Sequence, residues 1–203
     1  MQAFNAQCAP VIRFALNRRV RTLLLLWIAL LCGETRAFAT GDADRNPCQE
    51  KYLPQEVQRV LHRSFPLFRI LNLEDLTSDD RRFWLNSEKK SGCPGWTSGT
   101  YRGGREPSYV LSLVTRESHP AASRLVHIYR DIKGALSSEV LEQDEPSGFP
   151  RVVYTVPPGE YWNDDRTRSV RITREGFQTE QKESGAFLYY WDGNAMLRWT
   201  ISQ

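Results

Sequence analysis

The feature that most restricts the fold of this chain is a change in the spacing of its apolar residues at Trp96. From this residue onward apolar and polar positions alternate, which is the pattern of strands rather than of helices. Eight short strands are predicted, at residues 96–101, 109–115, 124–130, 135–141, 151–156, 168–173, 186–191 and 196–202. Strands this closely spaced are expected to pair as an antiparallel meander.

Three segments carry the clearest strand signals. Residues 109–114 are almost continuously apolar, which predicts a strand that is buried on both faces. Val170 and Ile172 alternate with Arg171, which predicts a strand covered on one side only. The sequence Asp192-Gly193-Asn194 separates the last two strands and is typical of a hairpin turn.

A helix is predicted before the strands, between Pro54 and Pro66. Proline is favourable in the first turn of a helix, and a later proline disfavours helical geometry in the residue before it. The apolar positions of this segment fall on one helical face. They are Val57, Val60, Leu61 and Phe65.

A second, short helix is predicted to start near Asp79. Thr77 or Ser78 is its expected N-terminal cap, and acidic residues occupy its first turn. Phe83 and Trp84 are expected to face the interior. With two helices before a run of strands, the predicted fold is α+β with strands dominant, an antiparallel meander sheet braced by these helices.

Residues 1–39 have the parts of an export signal. Arg18, Arg19 and Arg21 form a basic region, an apolar run of ten residues extends from Leu23 to Cys32, and Ala37-Phe38-Ala39 fits the small-x-small pattern before a cleavage site. We therefore predict a signal peptide over residues 1–39, a flexible polar segment over 40–47 and a single domain over 48–203. The alternative is a leader retained as a membrane anchor, although a spanning helix needs about 20 apolar residues.

The predicted leader also accounts for the positive charge of the chain. The whole sequence has 27 basic and 24 acidic side chains, a net charge of +3. Five arginines and one glutamate lie in residues 1–39, so 22 basic and 23 acidic side chains remain and the net charge falls to −1. A nearly neutral chain does not indicate a nucleic-acid partner.

Two of the four cysteines, Cys48 and Cys93, remain after residue 39. Two cysteines in an exported chain usually pair, so we predict a Cys48–Cys93 disulfide that helps the helices to brace the sheet. The alternative is a free, reactive thiol at Cys93, which would need a base nearby.

The segment CPGWTSGTYRGGREPSYVLSLV, residues 93–114, resembles a calcium-binding hairpin. It has a glycine-rich loop before an apolar strand, as do the aspartate-rich hairpins of FG-GAP and VCBS repeats. Aligned with those hairpins, the ligand positions fall near Thr100, Arg102, Gly104 and Ser108, and none of them is a carboxylate. Because Ca²⁺ needs six to eight oxygen ligands, we predict that the loop keeps the turn and binds no metal. No cofactor is predicted.

Several segments together resemble a group of uncharacterised secreted bacterial proteins. They are LPQEVQRVLHRSFP, the CPG turn, the glycine hairpin, VPPG and the terminal hairpin FLYYWDGNAMLRWTIS. The resemblance extends over nearly all of residues 40–203. It implies export and a shared fold, and it implies no catalytic residues.

The histidines and acids of the sequence form no catalytic or metal-binding motif. His62, His119 and His127 are too far apart for a metal pair, and His127 is predicted to be a hydrogen-bonded packing residue. Neighbouring acids are predicted to be solvated or capping groups. They are Asp79 with Asp80, Glu142 with Asp144 and Glu145, and Asp164 with Asp165.

The segment VPPGEYWNDDRTR, residues 156–168, has the composition of a recognition loop, because rigid aromatic residues stand beside polar ones. We predict that it forms a binding face together with the glycine hairpin. The candidate binding residues are Trp96, Arg102, Arg105, Tyr161, Trp162, Asn163 and Asp164. Two alternatives stay open: Tyr161 and Trp162 cap an end of the sheet, and Trp96 packs on the disulfide.

The expected function is binding rather than catalysis. Export, one disulfide and aromatic loops predict a non-enzymatic periplasmic or secreted module whose partner is an envelope protein or glycan, with no stable membrane span after processing. The alternative is a hydrolase that acts on an envelope polymer through loop acids such as Asp164 with His127 or His119. A purely structural surface protein is expected if Tyr161 and Trp162 are buried.

Overall fold

Strands dominate the structure, a computed structural model that describes residues 46–87, 92–117, 122–144, 150–181 and 185–202. These residues belong to one compact unit, and the predicted signal peptide lies outside them. The helices are α1 (Gln55–Ser64) and α2 (Ser78–Asn86). The strands are β1 (Phe68–Ile70), β2 (Trp96–Gly99), β3 (Ser108–Thr115), β4 (Ser123–Arg130), β5 (Leu136–Asp144), β6 (Val152–Val156), β7 (Gly159–Trp162), β8 (Ser169–Ile172), β9 (Gly176–Gln181), β10 (Gly185–Trp191) and β11 (Met196–Ser202). No helix in the described ranges is long and apolar enough to cross a bilayer.

Helix α1 forms where the sequence predicted it and packs on the first sheet. Pro54 immediately precedes the helix, and Val57 and Leu61 are completely buried. These side chains share a core cluster with Leu111 and Leu113 of β3. The apolar face of the helix therefore supplies one layer of the core, as its periodicity indicated.

Helix α2 forms as predicted, but only one of its two aromatic residues is buried. The Thr77 side chain caps the helix by accepting a hydrogen bond from the backbone N–H of Asp80 at 3.2 Å. Trp84 is 3% exposed, whereas Phe83 is 65% exposed. The prediction that both face the interior was wrong for Phe83, because consecutive residues on a helix point about 100° apart.

The first sheet has five antiparallel strands in the order β1-β3-β4-β5, with β2 paired beside β1 along the same edge of β3. Strand β3 is buried on both faces, as predicted. One face of β3 packs on α1. On the other face Val110, together with Leu125 of β4, packs on Val153 and Phe177 of the second sheet. The core is therefore divided between two layers.

The second sheet has four antiparallel strands in the order β11-β10-β9-β6. Its β10–β11 hairpin turns at Asp192, whose carboxylate accepts hydrogen bonds from the N–H groups of Asn194 and Ala195 at 2.7 Å each. Gly193 has a φ of 110°, which accounts for glycine in this turn. Strand β6 pairs with β9 rather than with β7, the next strand in sequence, because β7 and β8 pair with each other as a separate two-stranded sheet.

The β7–β8 hairpin lies on the outer face of the second sheet. Its side chains Tyr161, Val170 and Ile172 pack in one cluster with Leu188 of β10 and Trp199 of β11. The layers are thus α1, the first sheet, the second sheet and this hairpin, which places the hairpin tip above the outer face of the second sheet.

The disulfide between Cys48 and Cys93 is present, with the two sulfur atoms 2.10 Å apart and the cysteines 45 positions apart in sequence. It joins the segment before α1 to the residues that lead into β2. The predicted pairing is confirmed, and Cys93 is not a free thiol. The predicted α+β, strand-dominated, antiparallel fold braced by helices and a disulfide is likewise confirmed.

Candidate functional site

The predicted binding residues do not share one surface. Arg102 and Arg105 lie in the loop between β2 and β3, where Arg102 contacts Trp191 at the end of β10. Asp164 lies at the tip of the β7–β8 hairpin, and its backbone N–H donates to the carbonyl of Ile201 at 2.8 Å, beside the start of β10. Trp191 lies five residues along β10 from Ala186, and at about 3.3 Å per strand residue this places Arg102 and Asp164 about 17 Å apart.

Trp96 and Tyr161 contribute to packing. The Trp96 indole N–H donates to the carbonyl of Pro47 at 3.2 Å, and its ring packs in the cluster that contains both disulfide cysteines. Tyr161 is half-buried, and its hydroxyl donates to the carbonyl of Pro157 at 2.6 Å. For Trp96 the structure shows the alternative, packing on the disulfide. Trp162, at 48% exposed, is the more exposed aromatic residue of this hairpin.

Asn163 closes the turn that holds Asp164 in place. Its side-chain oxygen accepts from the backbone N–H of Arg168 at 2.9 Å, and its amide donates to the hydroxyl of Thr167 at 3.0 Å. Arg166, within the turn, has a φ of 54°. Asn163 therefore acts as a positioning residue, while the side chain of Asp164 stays exposed.

A cleft of about 710 Å³ lies on the outer face of the second sheet, between α2 and the tip of the β7–β8 hairpin. Its apolar lining comes from α2 and the residues just before it, and from the sheet that forms the floor. The apolar side chains of the lining are those of Leu76, Phe83, Trp84, Pro150, Val152, Ala186 and Ile201. A cleft of this size with a mainly apolar lining and a few convergent polar groups is typical of a ligand site.

The polar lining of the cleft is dominated by carboxylates: Asp80 from α2, Asp164 from the hairpin tip and Glu180 from β9. Glu180 accepts hydrogen bonds from the amide of Gln178 at 3.2 Å and from the hydroxyl of Tyr154. Burial, and secondly the bond to this carboxylate, raises the pKa of Tyr154. Of the predicted binding residues, the one that the structure places in this cleft is Asp164.

His127 is buried between the two sheets, as the predicted packing role requires. Its Nδ1 lies 3.0 Å from a carboxylate oxygen of Glu139, and its ring is surrounded by Tyr101, Tyr129 and Phe177. Burial lowers the pKa of His127, and the hydrogen bond to Glu139 opposes this shift.

The histidines do not join the acids of the cleft in the part of the chain that the structure describes. His127 faces the inner side of the second sheet, whereas Asp164 lies on the outer side. The pair suggested for a hydrolase is therefore not formed. His62 is exposed and contacts Glu50 at 2.7 Å, and His119 lies outside the described residues.

The prediction that neighbouring acids are solvated was wrong for Glu142 and, in part, for Asp144. The side chain of Glu142 is only 11% exposed, forms an ion pair with Arg151 and accepts from Arg198 at 2.8 Å and from the hydroxyl of Tyr189. Asp144 lies 3.1 Å from the same Arg151 guanidinium. Through Glu142 this ion-pair network joins β5 of the first sheet to β10 and β11 of the second sheet. Glu145, the third acid of this group, lies outside the described residues.

The glycine loop is held by the protein itself. The Arg102 guanidinium lies between the rings of Tyr129, at 3.8 Å, and Trp191, at 4.2 Å. Thr100, at a position aligned with a calcium ligand, donates from its backbone N–H to the carboxylate of Glu175 at 2.7 Å. Among the described residues no group of three or more His, Cys, Asp or Glu side chains could hold a metal ion.

The cleft has a shape and lining typical of ligand sites, and Asp164 connects it to the predicted binding loop. The resemblance to secreted bacterial proteins stays a prediction. In comparisons with known proteins, no protein-family model, no curated protein and no solved structure matches this chain.

Proposed function

We propose that this protein is a non-enzymatic binding module of the cell envelope that holds a protein or glycan ligand in the cleft between α2 and the β7–β8 hairpin. One observation supports the proposal above all others. Phe83, a large apolar side chain on a short helix, is 65% exposed and lines an open cleft. Large exposed aromatic residues in a concave surface are typical of recognition sites.

The walls of the cleft suit binding because they are fixed before a ligand arrives. Helix α2 is capped by Thr77, and Trp84 anchors it through a hydrogen bond from its indole N–H to the carbonyl of Gly92 at 3.2 Å. The opposite wall is fixed by Asn163 and by the backbone bond from Asp164 to Ile201. A preorganised site loses less conformational entropy on binding.

The proposal is tested by placing a photoreactive amino acid at position 83 in the cells that produce the protein. Leu67 is exposed and does not line the cleft, so the same substitution there is the matched control. We expect one discrete cross-linked species from position 83 and none from position 67. No adduct at position 83, or the same adducts from both positions, would contradict a ligand in the cleft.

A hydrolase is the second candidate, because Asp80, Asp164 and Glu180 line one cleft. Glycoside hydrolysis requires two carboxylates on either side of the bond that is broken. This activity predicts that the protein releases new reducing ends from an envelope polysaccharide, and that Asp164→Asn and Glu180→Gln each abolish the release. Binding without any release would favour the non-enzymatic module.

A further inference from the structure

The charge of the cleft restricts what it can bind. Its three carboxylates, Asp80, Asp164 and Glu180, are accompanied by no lysine or arginine among the described lining residues. Asp80 accepts from the hydroxyl of Thr77 at 2.6 Å, and Glu180 accepts from the amide of Gln178. The donor to Asp80 is neutral, so it satisfies a hydrogen bond without offsetting the negative charge of Asp80.

Asp164 has the most available carboxylate of the three. Its side chain is exposed and forms no hydrogen bond or ion pair with any residue that the structure describes. Its neighbour Asp165 differs in this respect, because it accepts from the hydroxyl of Thr167 at 2.7 Å and closes the turn. A ligand that enters the cleft therefore meets at least one carboxylate that is free to pair.

The apolar walls define the other part of the ligand. Phe83 offers an exposed ring, and Leu76, Val152 and Ile201 add aliphatic surface beside the carboxylates. The alkyl stem of lysine or arginine packs on such a surface while its charged end reaches an acid. An aromatic ring also attracts a cation that approaches its face.

We propose that the cleft binds a segment of a partner polypeptide in which a lysine or arginine adjoins an apolar residue. The cationic group pairs with the carboxylates, and the apolar residue packs on Phe83. A neutral oligosaccharide fits less well, because its hydroxyls would replace water around the carboxylates of Asp80 and Asp164 without balancing their charge. This inference rests on the proposed function, since it specifies the ligand of the same cleft.

Two short blocked peptides test the inference by isothermal titration calorimetry with the whole protein. One alternates leucine and lysine, and the other has glutamine in place of every lysine. We expect the lysine peptide to bind about fivefold more tightly or better at low salt, and we expect high salt to reduce the difference. Equal affinity for the two peptides, or no binding of the lysine peptide, would overturn the inference.

Matched variants locate the interaction. Asp164→Asn should weaken the lysine peptide about two- to fivefold and leave the glutamine peptide unchanged. Asp165→Asn removes the same charge one residue away, outside the cleft lining, and should have a smaller effect. Equal effects of the two variants would show that only the general field of the protein attracts the peptide, which also overturns the inference.

A further pair of variants separates this inference from the proposed function. Phe83→Ser removes the exposed ring, and Leu67→Ser is its control on another surface. If a neutral chitin oligosaccharide binds in a Phe83-dependent manner and the lysine peptide does not, the cleft is a ligand site and the inferred ligand class is wrong. If Phe83→Ser alters the binding of neither probe, the peptide does not occupy the cleft, and the inference fails.

Discussion

Two arginines share the carboxylate of Glu142, and we expect their removal to have very different effects on stability. The side chain of Arg151 is 6% exposed, whereas that of Arg198 is 53% exposed. Arg151 also lies 3.1 Å from Asp144 and donates to the side-chain oxygen of Gln181 at 3.1 Å. The perturbation is Arg151→Met, which keeps the aliphatic stem and deletes the charge, with Arg198→Met as its control.

The expected magnitudes follow from this difference in burial. Arg151→Met leaves the largely buried Glu142 with the half-exposed Arg198 as its remaining ion-pair partner among the described residues, and removing one member of a buried pair costs up to about 3–5 kcal/mol. Arg198→Met breaks an exposed pair, which costs about 0–1 kcal/mol. For a domain of this size, the first loss corresponds to a fall in melting temperature of about 6–20 °C.

Urea unfolding followed by tryptophan fluorescence measures both free energies. High salt should reduce the effect of Arg198→Met, since exposed pairs are screened, and should change that of Arg151→Met much less. Adding Glu142→Gln to Arg151→Met should recover part of the loss, because the neutral amide at position 142 does not need the cation that Arg151 supplied. If the two arginine variants destabilise the protein equally, the reasoning from burial is wrong.

Three other measurements test separate parts of the fold. Burial lowers the pKa of His127 below its ordinary value of 6.5, so on acidification the unfolded chain binds a proton that the native state does not. The free energy of unfolding should therefore fall as the pH decreases below about 6.5, by at most about 1.4 kcal/mol per pH unit from this group. Urea titrations between neutral and mildly acid pH should show a smaller slope for His127→Leu. Replacing both disulfide cysteines with alanine should cost about 4 kcal/mol, given 45 positions of sequence between them, and an unchanged urea midpoint would refute this estimate. Tyr161→Ala should cost about 1–3 kcal/mol because the ring packs on the second sheet, whereas Trp162→Ala should change stability by less than about 1 kcal/mol; the reverse order would show that Trp162 is the residue that caps the sheet.

The parts of the fold that sequence could predict depend on local patterns. The helical period before Pro66, the alternation after Trp96 and the turn at Asp192 each lie within a few residues, and each gave the correct element. The disulfide followed from there being two cysteines beyond the predicted leader. These features need no knowledge of which elements are neighbours in space.

Three strands escaped prediction for identifiable reasons. Strand β1 has three residues, too few for a period to be seen. Strand β7 begins at Gly159, directly after two prolines, and reads as a turn. Strand β9 places Thr179 and Gln181 at buried positions beside Phe177, so two of the three side chains on its inward face are polar and the strand lacks a hydrophobic pattern. The pairing of β6 with β9 could not be predicted once β9 was missed.

The same limitation explains why sequence found only one residue of the cleft. Asp164 was identified because it stands beside aromatic residues in a loop, but Glu180 belongs to the strand that was missed. Phe83 and Trp84 are adjacent and similar in sequence, and only the rotation of α2 against Tyr154 determines which of them is buried. A site assembled from a helix face, a strand and a distant hairpin has no contiguous signal in the sequence.

The glycine loop shows how one local pattern can serve different ends. In a calcium-binding hairpin, carboxylates of the loop surround a cation, whereas here the loop supplies a cation of its own, Arg102. The rings on either side of its guanidinium come from different sheets, Tyr129 from the first and Trp191 from the second. A guanidinium stacked between two rings is attracted to both, so the loop couples the sheets at this end of the molecule. Because Arg102 is engaged in this contact, the loop stabilises the fold, and we propose ligand recognition instead for the cleft at the other end of β10.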